Sequence, residues 1–284
     1  MLYIWNIFRD RPPYFQYNYR EIDFMSVASK LLYELNPPKL FTSHQFNKVD
    51  LDLQMRVFID RASSVLEFVS GLHITDSVLG IPRVSSISAA SVLRDEGIKT
   101  NLTCSLRISD RNLISIFQFL SEAIQYKVQG VLILRGDLPY WGPSFTTLKA
   151  SDIIKKLYMY KINEEIELYL SSPNRIIRNE SLGKKLSSKP HALITQSISS
   201  ISDLSNIVGL AEPYGIKIIP CIMCPSARNL SSALKIGLDW SSYYHNPLEF
   251  ITEAAKISHK VLLSSPNSFN DGLDLMRSLN EIDL

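Results

Sequence analysis

The chain has 284 residues, of which 45% are hydrophobic and 20% charged, a balance that suits a globular protein with a sizeable core. Its formal net charge is only +2, so we expect neither nucleic acid nor an anionic membrane surface as a partner. Three cysteines are too few for a disulfide framework, and no apolar run approaches the roughly 20 residues that span a bilayer, which together predict a soluble, cytoplasmic protein.

The predicted elements alternate between strand and helix along the chain. Each strand candidate is followed by a segment with apolar residues at helical spacing, such as Leu113, Ile116 and Leu120 after the candidate N-cap Ser109. This alternation predicts a single-domain (β/α)8 TIM barrel of the α/β class. The eight strand candidates are residues 30–36, 71–77, 98–104, 129–136, 165–172, 191–197, 216–224 and 260–266.

A doubly wound open sheet is the alternative architecture. Such sheets usually contain fewer strands, and many of them bind phosphate through a glycine-rich loop. The sequence contains neither the G-x-G-x-x-G pattern nor a P-loop. The closed barrel is therefore the better interpretation.

The first 24 residues stand outside the alternation. They are rich in tyrosine and phenylalanine without a clean period, and Asp10 and Arg11 interrupt their apolar stretch, which is unlike a signal peptide. Met25 begins a run that leads at once into the first predicted strand. We expect residues 1–24 to be an N-terminal extension peripheral to the fold, or else a plug at the bottom of the barrel, and residues 25–284 to form the barrel.

Charged residues directly follow the fourth predicted strand, where VQGVLIL gives way to Arg135, Gly136 and Asp137. Side chains just past the carboxyl end of a barrel strand point into the mouth, where active sites are built. The alternative interpretation is that Arg135 and Asp137 form a simple loop ion pair. Polar residues mark other predicted strand ends too, however, and we expect them to converge on a ligand. These residues are Glu34, Thr75, Asp76, Asn101, Thr103 and Gln196.

Six motifs give the sequence a family resemblance. They are YELNPPK at 33–39, HITDS at 73–77, TNLTC at 100–104, LILRGDLP at 132–139, KASDII at 149–154 and ALITQS at 192–197. Their order resembles that of methylenetetrahydrofolate reductases over about residues 31–220. The resemblance implies an FAD-containing barrel of one-carbon metabolism that reduces the methylene group of methylenetetrahydrofolate, or of a related tetrahydropterin carrier, to methyl with NAD(P)H as the electron donor.

The resemblance also implies catalytic roles for two carboxyl groups. Glu34 matches the general acid that protonates a carrier nitrogen, so that the five-membered ring opens to an iminium. An acid of this kind must hold its proton near neutral pH, which burial at a strand end favours. Asp137 matches the aspartate between flavin and pterin, which accepts hydrogen bonds from the pterin and influences the flavin.

The remaining matches concern binding. Thr75, Arg135 and Gly136 match flavin contacts, with Gly136 allowing the backbone to approach a ring. Asn101 stands where the family has a histidine, and its amide suits a phosphate or ribityl oxygen. The basic pair Lys184 and Lys185, which we expect at a helix start, matches the pyrophosphate contacts, and Gln196 matches the glutamine that bonds the pterin.

Departures from the family pattern leave other functions open. The family has phenylalanines after the glutamine, whereas this chain has Ser197 and Ile198, which leaves the electron donor open between NAD(P)H and an electron-donating partner protein such as a flavoprotein. The assembly is open as well, with a homo-oligomer as the alternative to a complex with that partner. One alternative is a flavin-free pterin-binding barrel that serves as a subunit of a larger complex. Another is a zinc-dependent methyltransferase that uses Cys104, Cys221 and Cys224 as ligands, although no fourth ligand and no histidine spacing accompany them.

Overall fold

The computed structural model describes residues 26–41, 45–142, 148–172 and 180–282. Within these ranges eight parallel strands pair in chain order, and the last pairs with the first, so the sheet is a closed barrel. The prediction of a (β/α)8 barrel is confirmed, and the open sheet is excluded. The strands are β1 (Leu31–Leu35), β2 (Gly71–Ile74), β3 (Asn101–Arg107), β4 (Gly130–Leu134), β5 (Glu167–Ser172), β6 (Ala192–Ser197), β7 (Lys217–Met223) and β8 (Val261–Ser264).

Helices connect the strands and cover the outside of the barrel. In the described ranges, short 3-10 turns add to them at Val78–Gly80, Ile162–Glu164 and Glu212–Tyr214. None of the described helices has both the length and the apolar character that crossing a membrane requires. The helices are α1 (Val27–Lys30), α2 (Lys48–Val65), α3 (Ser86–Asp95), α4 (Leu113–Gln125), α5 (Ala150–Met159), α6 (Glu180–Ser187), α7 (Ile201–Ala211), α8 (Leu230–Lys235), α9 (Pro247–Ile257) and α10 (Phe269–Ile282).

Successive residues of each strand face opposite sides of the sheet, which divides the core in two. The larger part lies between strands and helices and includes Leu31, Tyr33 and Leu35 of β1. The smaller part fills the barrel interior. By the same alternation, the last inward-facing residue of each strand lies at or near its carboxyl end. The members of this interior cluster are Leu32, Leu132, Tyr169, Ala192, Ile194, Ile219, Cys221 and Leu262.

The third strand differs from the prediction. It runs Asn101–Arg107 rather than 98–104, because the polar residues Ser105 and Arg107 are buried in it and extend it. The helix that follows is capped by Asn112, whose side chain accepts the backbone N–H of Ser115 at 3.0 Å, and not by Ser109. The predicted extension, residues 1–24, lies outside the described residues.

Candidate active site

Glu34 lies at the carboxyl end of β1 with its side chain turned toward β8. The hydroxyl of Ser264, the last residue of β8, donates a hydrogen bond of 2.7 Å to Glu34 Oε1. The second carboxyl oxygen, Oε2, makes no hydrogen bond within the described part of the chain. Burial raises the pKa of Glu34, and the weaker opposing effect of the Ser264 hydrogen bond does not cancel that rise. Glu34 therefore has the environment of a carboxyl group that keeps its proton and can donate it.

A cleft of about 580 Å³ opens beside this carboxyl group. Glu34 lines it together with the residues that follow β1, one face of α2 and the loop after β8. Its walls are mixed, because Leu53, Val57 and Phe58 of α2 are apolar whereas other positions carry arginine or lysine. A volume of this size suits a small organic ligand, and Glu34 is the carboxyl group such a ligand would meet.

Gln196 is exposed at the carboxyl end of β6, where the strand is irregular. The pairing between β6 and β7 shifts between Ile194 and Ser197, and the Thr195 hydroxyl accepts the backbone N–H of Cys221 at 3.1 Å. Irregularities of this kind redirect a side chain without ending the strand. The flanking Thr195 and Ser197 are buried whereas Gln196 is exposed to solvent, which agrees with a role in contacting a ligand.

Asp137 joins the loop after β4 to the loop after β2. Its Oδ2 accepts the backbone N–H of Leu79 at 2.9 Å, and Tyr140 N–H donates to Gly80 O at 3.0 Å. Leu79 has a positive φ of 59°, a conformation that a non-glycine residue keeps only when its surroundings hold it. Asp137 is thus a positioning residue for the β2 loop in this state. Its neighbour Arg135 is exposed and forms no ion pair with it within the described residues.

Thr75 is buried at the end of β2 and is already hydrogen bonded. Its hydroxyl donates to Asn36 Oδ1 at 2.7 Å, which links the ends of β1 and β2. This residue lies at the expected end of the barrel. The hydroxyl that the family resemblance assigns to flavin is, however, used within the protein.

Arg107 lies at the carboxyl end of β3, the same end of the barrel as the candidate site, and was not predicted from the sequence. It is among the largest fully buried side chains, and its guanidinium donates to Ser77 O at 3.1 Å and to Asp110 Oδ1 at 3.2 Å. A Cβ added to Gly136, whose φ is +80°, would lie 2.6 Å from Arg107 Cγ. The space that Gly136 leaves free is therefore filled by Arg107. The signal was present in β3, where Thr103, Ser105 and Arg107 place polar side chains at every second position.

His73 and the polar residues of β3 form a closed hydrogen-bond network inside the barrel. The two ring nitrogens of His73 lie 2.9 Å from Thr103 Oγ1 and 2.9 Å from Ser105 Oγ. Burial lowers the pKa of His73 to about 4, so the ring is neutral near pH 7. Thr103, expected at a strand end, is instead an internal structural partner of this histidine.

Asn101 does not lie at the mouth of the barrel, and its predicted cofactor contact is wrong in that respect. It is the first residue of β3, and its side-chain amide donates to Ser70 O at 3.2 Å. The reason is the extent of β3, which continues six residues further to Arg107 and moves Asn101 to the amino end of the strand.

The basic pair Lys184 and Lys185 lies in the last turn of α6 and not at a helix start, so the helix dipole does not favour an anion there. Lys184 is exposed. Lys185 Nζ donates to Ser171 O at 2.6 Å near the carboxyl end of β5, and burial lowers its pKa. Among the described residues, Lys185 therefore contacts a strand end and Lys184 does not.

The three cysteines do not converge. Cys104 contacts Ser86 O of α3 at 3.6 Å on the outside of the sheet, and Cys221 lies inside the barrel. Cys224 contacts Asp271 O of α10 at 3.5 Å. Burial raises the pKa of all three thiols, for Cys221 and Cys224 to about 12. No group of three or more histidine, cysteine or acidic side chains in the described ranges is arranged to hold a metal ion, so the zinc hypothesis loses its ligand set.

Comparisons with known proteins bear on the fold. No protein-family model matches the chain, and no curated protein matches it. Among solved structures it is similar to deoxyribose phosphate aldolase from Aeropyrum pernix, with 9% identity and a TM-score of 0.50 over 89% of this chain and 92% of that chain.

Two further structures give the same result. An aldolase named QR15 shares 10% identity and a TM-score of 0.53 over 92% of this chain and 97% of its own. Ligand-free tryptophan synthase from M. tuberculosis shares 10% identity and a TM-score of 0.50 over 89% and 90%. The common feature is the barrel fold. Identities this low carry no information about substrate, and none of the three is a methylenetetrahydrofolate reductase.

Proposed function

We propose that the protein is a flavin-dependent reductase that converts the methylene group of methylenetetrahydrofolate, or of a related tetrahydropterin carrier, to a methyl group. The observation that supports it most is Glu34, a half-buried carboxyl group whose pKa is raised and which lines a ligand-sized cleft. Its motif is also the one that the family resemblance assigns to the general acid. Acid catalysis near neutral pH needs this combination of access and proton retention.

The role of Glu34 in this reaction is proton transfer. Its carboxyl proton passes to a carrier nitrogen, the bond from that nitrogen to the methylene carbon breaks, and the ring opens to a cationic iminium. FAD, when bound and reduced by NAD(P)H, supplies the hydride that turns the iminium into a methyl group. Ser264 holds Oε1 of Glu34 throughout, which leaves Oε2 as the oxygen that carries the proton. Gln196, exposed at the end of β6, is suited to bonding the pterin amide edge.

The described residues suit the phosphates of FAD better than its flavin ring. Arg135 at the end of β4 and Lys185 near the end of β5 offer positive charge for phosphates at the expected end of the barrel. The ring contacts fit less well, since Thr75 bonds Asn36 and the space beside Gly136 holds Arg107. Binding of the flavin ring in the way that the resemblance implies would require Arg107 to move.

This misfit supports a second candidate, a flavin-free barrel that binds the carrier as a subunit of a larger complex. Arg107 is held by Ser77, by Asp110 and by the packing against Gly136, so displacing it would break several contacts at once. The cleft beside Glu34 does not depend on Arg107. A carrier site can therefore exist without a flavin site.

The visible absorption spectrum of the protein and the variant Glu34→Gln distinguish the reductase from the flavin-free subunit. The reductase should purify with flavin absorbance or bind added FAD at one equivalent per chain. Glu34→Gln should leave reduction of that flavin by NAD(P)H intact and lower carrier reduction by about a hundredfold or more, the usual scale for a lost general acid. Glu96→Gln, an exposed residue at the end of α3, is the matched control and should change neither step.

Two outcomes would contradict the reductase proposal. Equal loss of both half-reactions in Glu34→Gln would make Glu34 a structural residue. Failure to bind FAD under any condition, together with binding of the tetrahydropterin, would favour the flavin-free subunit.

A further inference from the structure

The cleft beside Glu34 has an excess of positive charge that the reaction of Glu34 does not explain. Lys39, Arg61 and Arg83 all line it, whereas Glu34 is the one carboxyl group among its described lining residues. Burial raises the pKa of that carboxyl group and so reduces its negative charge. None of the three cations forms an ion pair within the described part of the chain. An unbalanced cluster of this kind inside a concave site favours an anionic ligand.

Arg83 is held by one hydrogen bond but keeps N–H donors that have no partner among the described residues. Its Nη1 donates to Pro37 O at 2.6 Å, in the segment that follows β1. Its Nε is buried and has no hydrogen-bond partner among the described residues, and burial lowers the pKa of the guanidinium. Leaving a buried donor unpaired is costly, and a guanidinium in this state gains from a negative charge nearby. Nη2 makes no hydrogen bond in the described ranges and is the donor available to such a group.

Arg61 provides a second guanidinium, on the wall of the cleft that α2 forms. Its Cζ lies 5.4 Å from the centre of the Phe269 ring, and both residues line the cleft. Stacking on an aromatic ring holds a guanidinium by its face and leaves its N–H edge free for a carboxylate or phosphate. Two arginines, each restrained by a different contact, therefore face one cavity.

The apolar part of the same cleft indicates the rest of the ligand. Leu53, Val57 and Phe58 line it from α2, and Phe41 lines it from the segment after β1. These side chains suit an aromatic or aliphatic body and do not suit a free inorganic ion. A ligand that fills the cleft would thus combine an apolar body with an anionic group.

We propose that the cleft is a binding site for an aromatic ligand that carries a carboxylate or phosphate, with Arg83 and Arg61 as the anion contacts. Identification of this ligand with the tetrahydropterin carrier rests on the proposed function, but the anion site itself does not. The proposal would make Arg83 and Arg61 determinants of which carriers bind, while Glu34 acts on the ligand at the barrel end.

The test uses three probes that contain no pterin, so its outcome is independent of the reductase chemistry. N-benzoylglutamate presents carboxylates, phenyl phosphate presents a phosphate, and benzamide is the uncharged aromatic reference. Dissociation constants from ligand-observed NMR titrations are compared for the wild-type protein, Arg83→Gln, Arg61→Gln and the control Arg56→Gln. Arg56 is exposed on the same helix as Arg61 but does not line the cleft.

We expect the protein to bind at least one anionic probe more tightly than benzamide, and each cleft variant to weaken that probe by about tenfold or more, the scale of a charged hydrogen bond. Binding of benzamide should stay unchanged, and Arg56→Gln should stay within about twofold of the wild type, as expected for a screened surface charge. The preferred probe distinguishes a carboxylate from a phosphate ligand.

Three results would overturn the proposal. They are equal affinity for benzamide and both anionic probes, unchanged affinity in Arg61→Gln and Arg83→Gln, and an equal loss in Arg56→Gln. Because Arg83 contacts Pro37, its variant is checked by thermal melting; if it fails to fold, the exposed Arg61 decides the outcome alone. A positive result with no carrier reduction would keep the anion site and reject the reductase function.

Discussion

Replacement of Gly136 by alanine tests how tightly Arg107 fills the mouth of the barrel. Gly136 has a φ of +80°, and alanine in this left-handed region costs about 1 to 2 kcal/mol. The new Cβ would also lie 2.6 Å from Arg107 Cγ and 3.0 Å from Cδ, a clash that adds about 1 to 3 kcal/mol if the buried side chain must shift. We therefore expect Gly136→Ala to lower the free energy of unfolding by about 2 to 5 kcal/mol.

Gly97→Ala is the matched control for the backbone contribution. Gly97 has a φ of +81°, nearly the same as Gly136, but among the described residues other than its chain neighbours no heavy atom lies within 4 Å of its added Cβ. This variant should lose only the backbone part, about 1 to 2 kcal/mol. The difference between the two variants is the cost of displacing Arg107.

Urea unfolding followed by circular dichroism and tryptophan fluorescence measures this difference, with coincident curves required before free energies are compared. We expect Gly136→Ala to lose at least about 1 kcal/mol more than Gly97→Ala. Equal losses would refute the reasoning, because they would mean that Arg107 yields freely. The space beside Gly136 would then be available to a flavin ring, which would favour the reductase over the flavin-free candidate.

Three further predictions follow from single contacts. The pKa of Glu34 is raised in the folded state, so its contribution to stability is present below its unfolded pKa of 4.5 and is lost as pH rises through the folded value. Glu34→Gln should therefore melt near the wild-type temperature at pH 4 and above it at pH 8; a difference in melting temperature that is the same at both pH values would contradict this. Asp137→Ala should release the Leu79 loop and speed its cleavage in limited proteolysis, while Arg135→Ala should not; equal cleavage would mean that the Asp137 contact does not hold the loop. The three buried thiols should react slowly with a thiol reagent in native protein and fully in urea, and fast native labelling would contradict their burial.

The barrel was predictable because its signal is repeated along the chain. Each strand contributes a short apolar run, and a run misplaced by a few residues does not change the count of eight. The third strand was misplaced because Ser105 and Arg107 resemble loop residues when only their polarity is considered. Their burial depends on partners such as His73 and Ser77, which lie about 30 residues earlier in the sequence.

The candidate site was predictable where it depends on strand ends. Glu34, Gln196 and Arg135 lie at or directly after the carboxyl ends of their strands, as the parallel order of the barrel requires. The contacts of these residues were not predictable in the same way. Spacing between motifs cannot indicate that Arg107 occupies the space beside Gly136, because that contact depends on side-chain packing between two different strands.

The acidity of Glu34 is a consequence of the fold and not of its motif alone. In β1 the period of two places Leu32 in the apolar interior and Glu34 directly above it, and in β8 the same period places Leu262 below Ser264. Packed apolar side chains beneath the carboxyl group remove water from one side, which disfavours its charged form. The cleft keeps the other side open to a ligand. Residues that fill the barrel interior therefore contribute to the raised pKa of Glu34, so Leu262→Ser, which would admit water from below, should lower that pKa without changing a residue that lines the cleft.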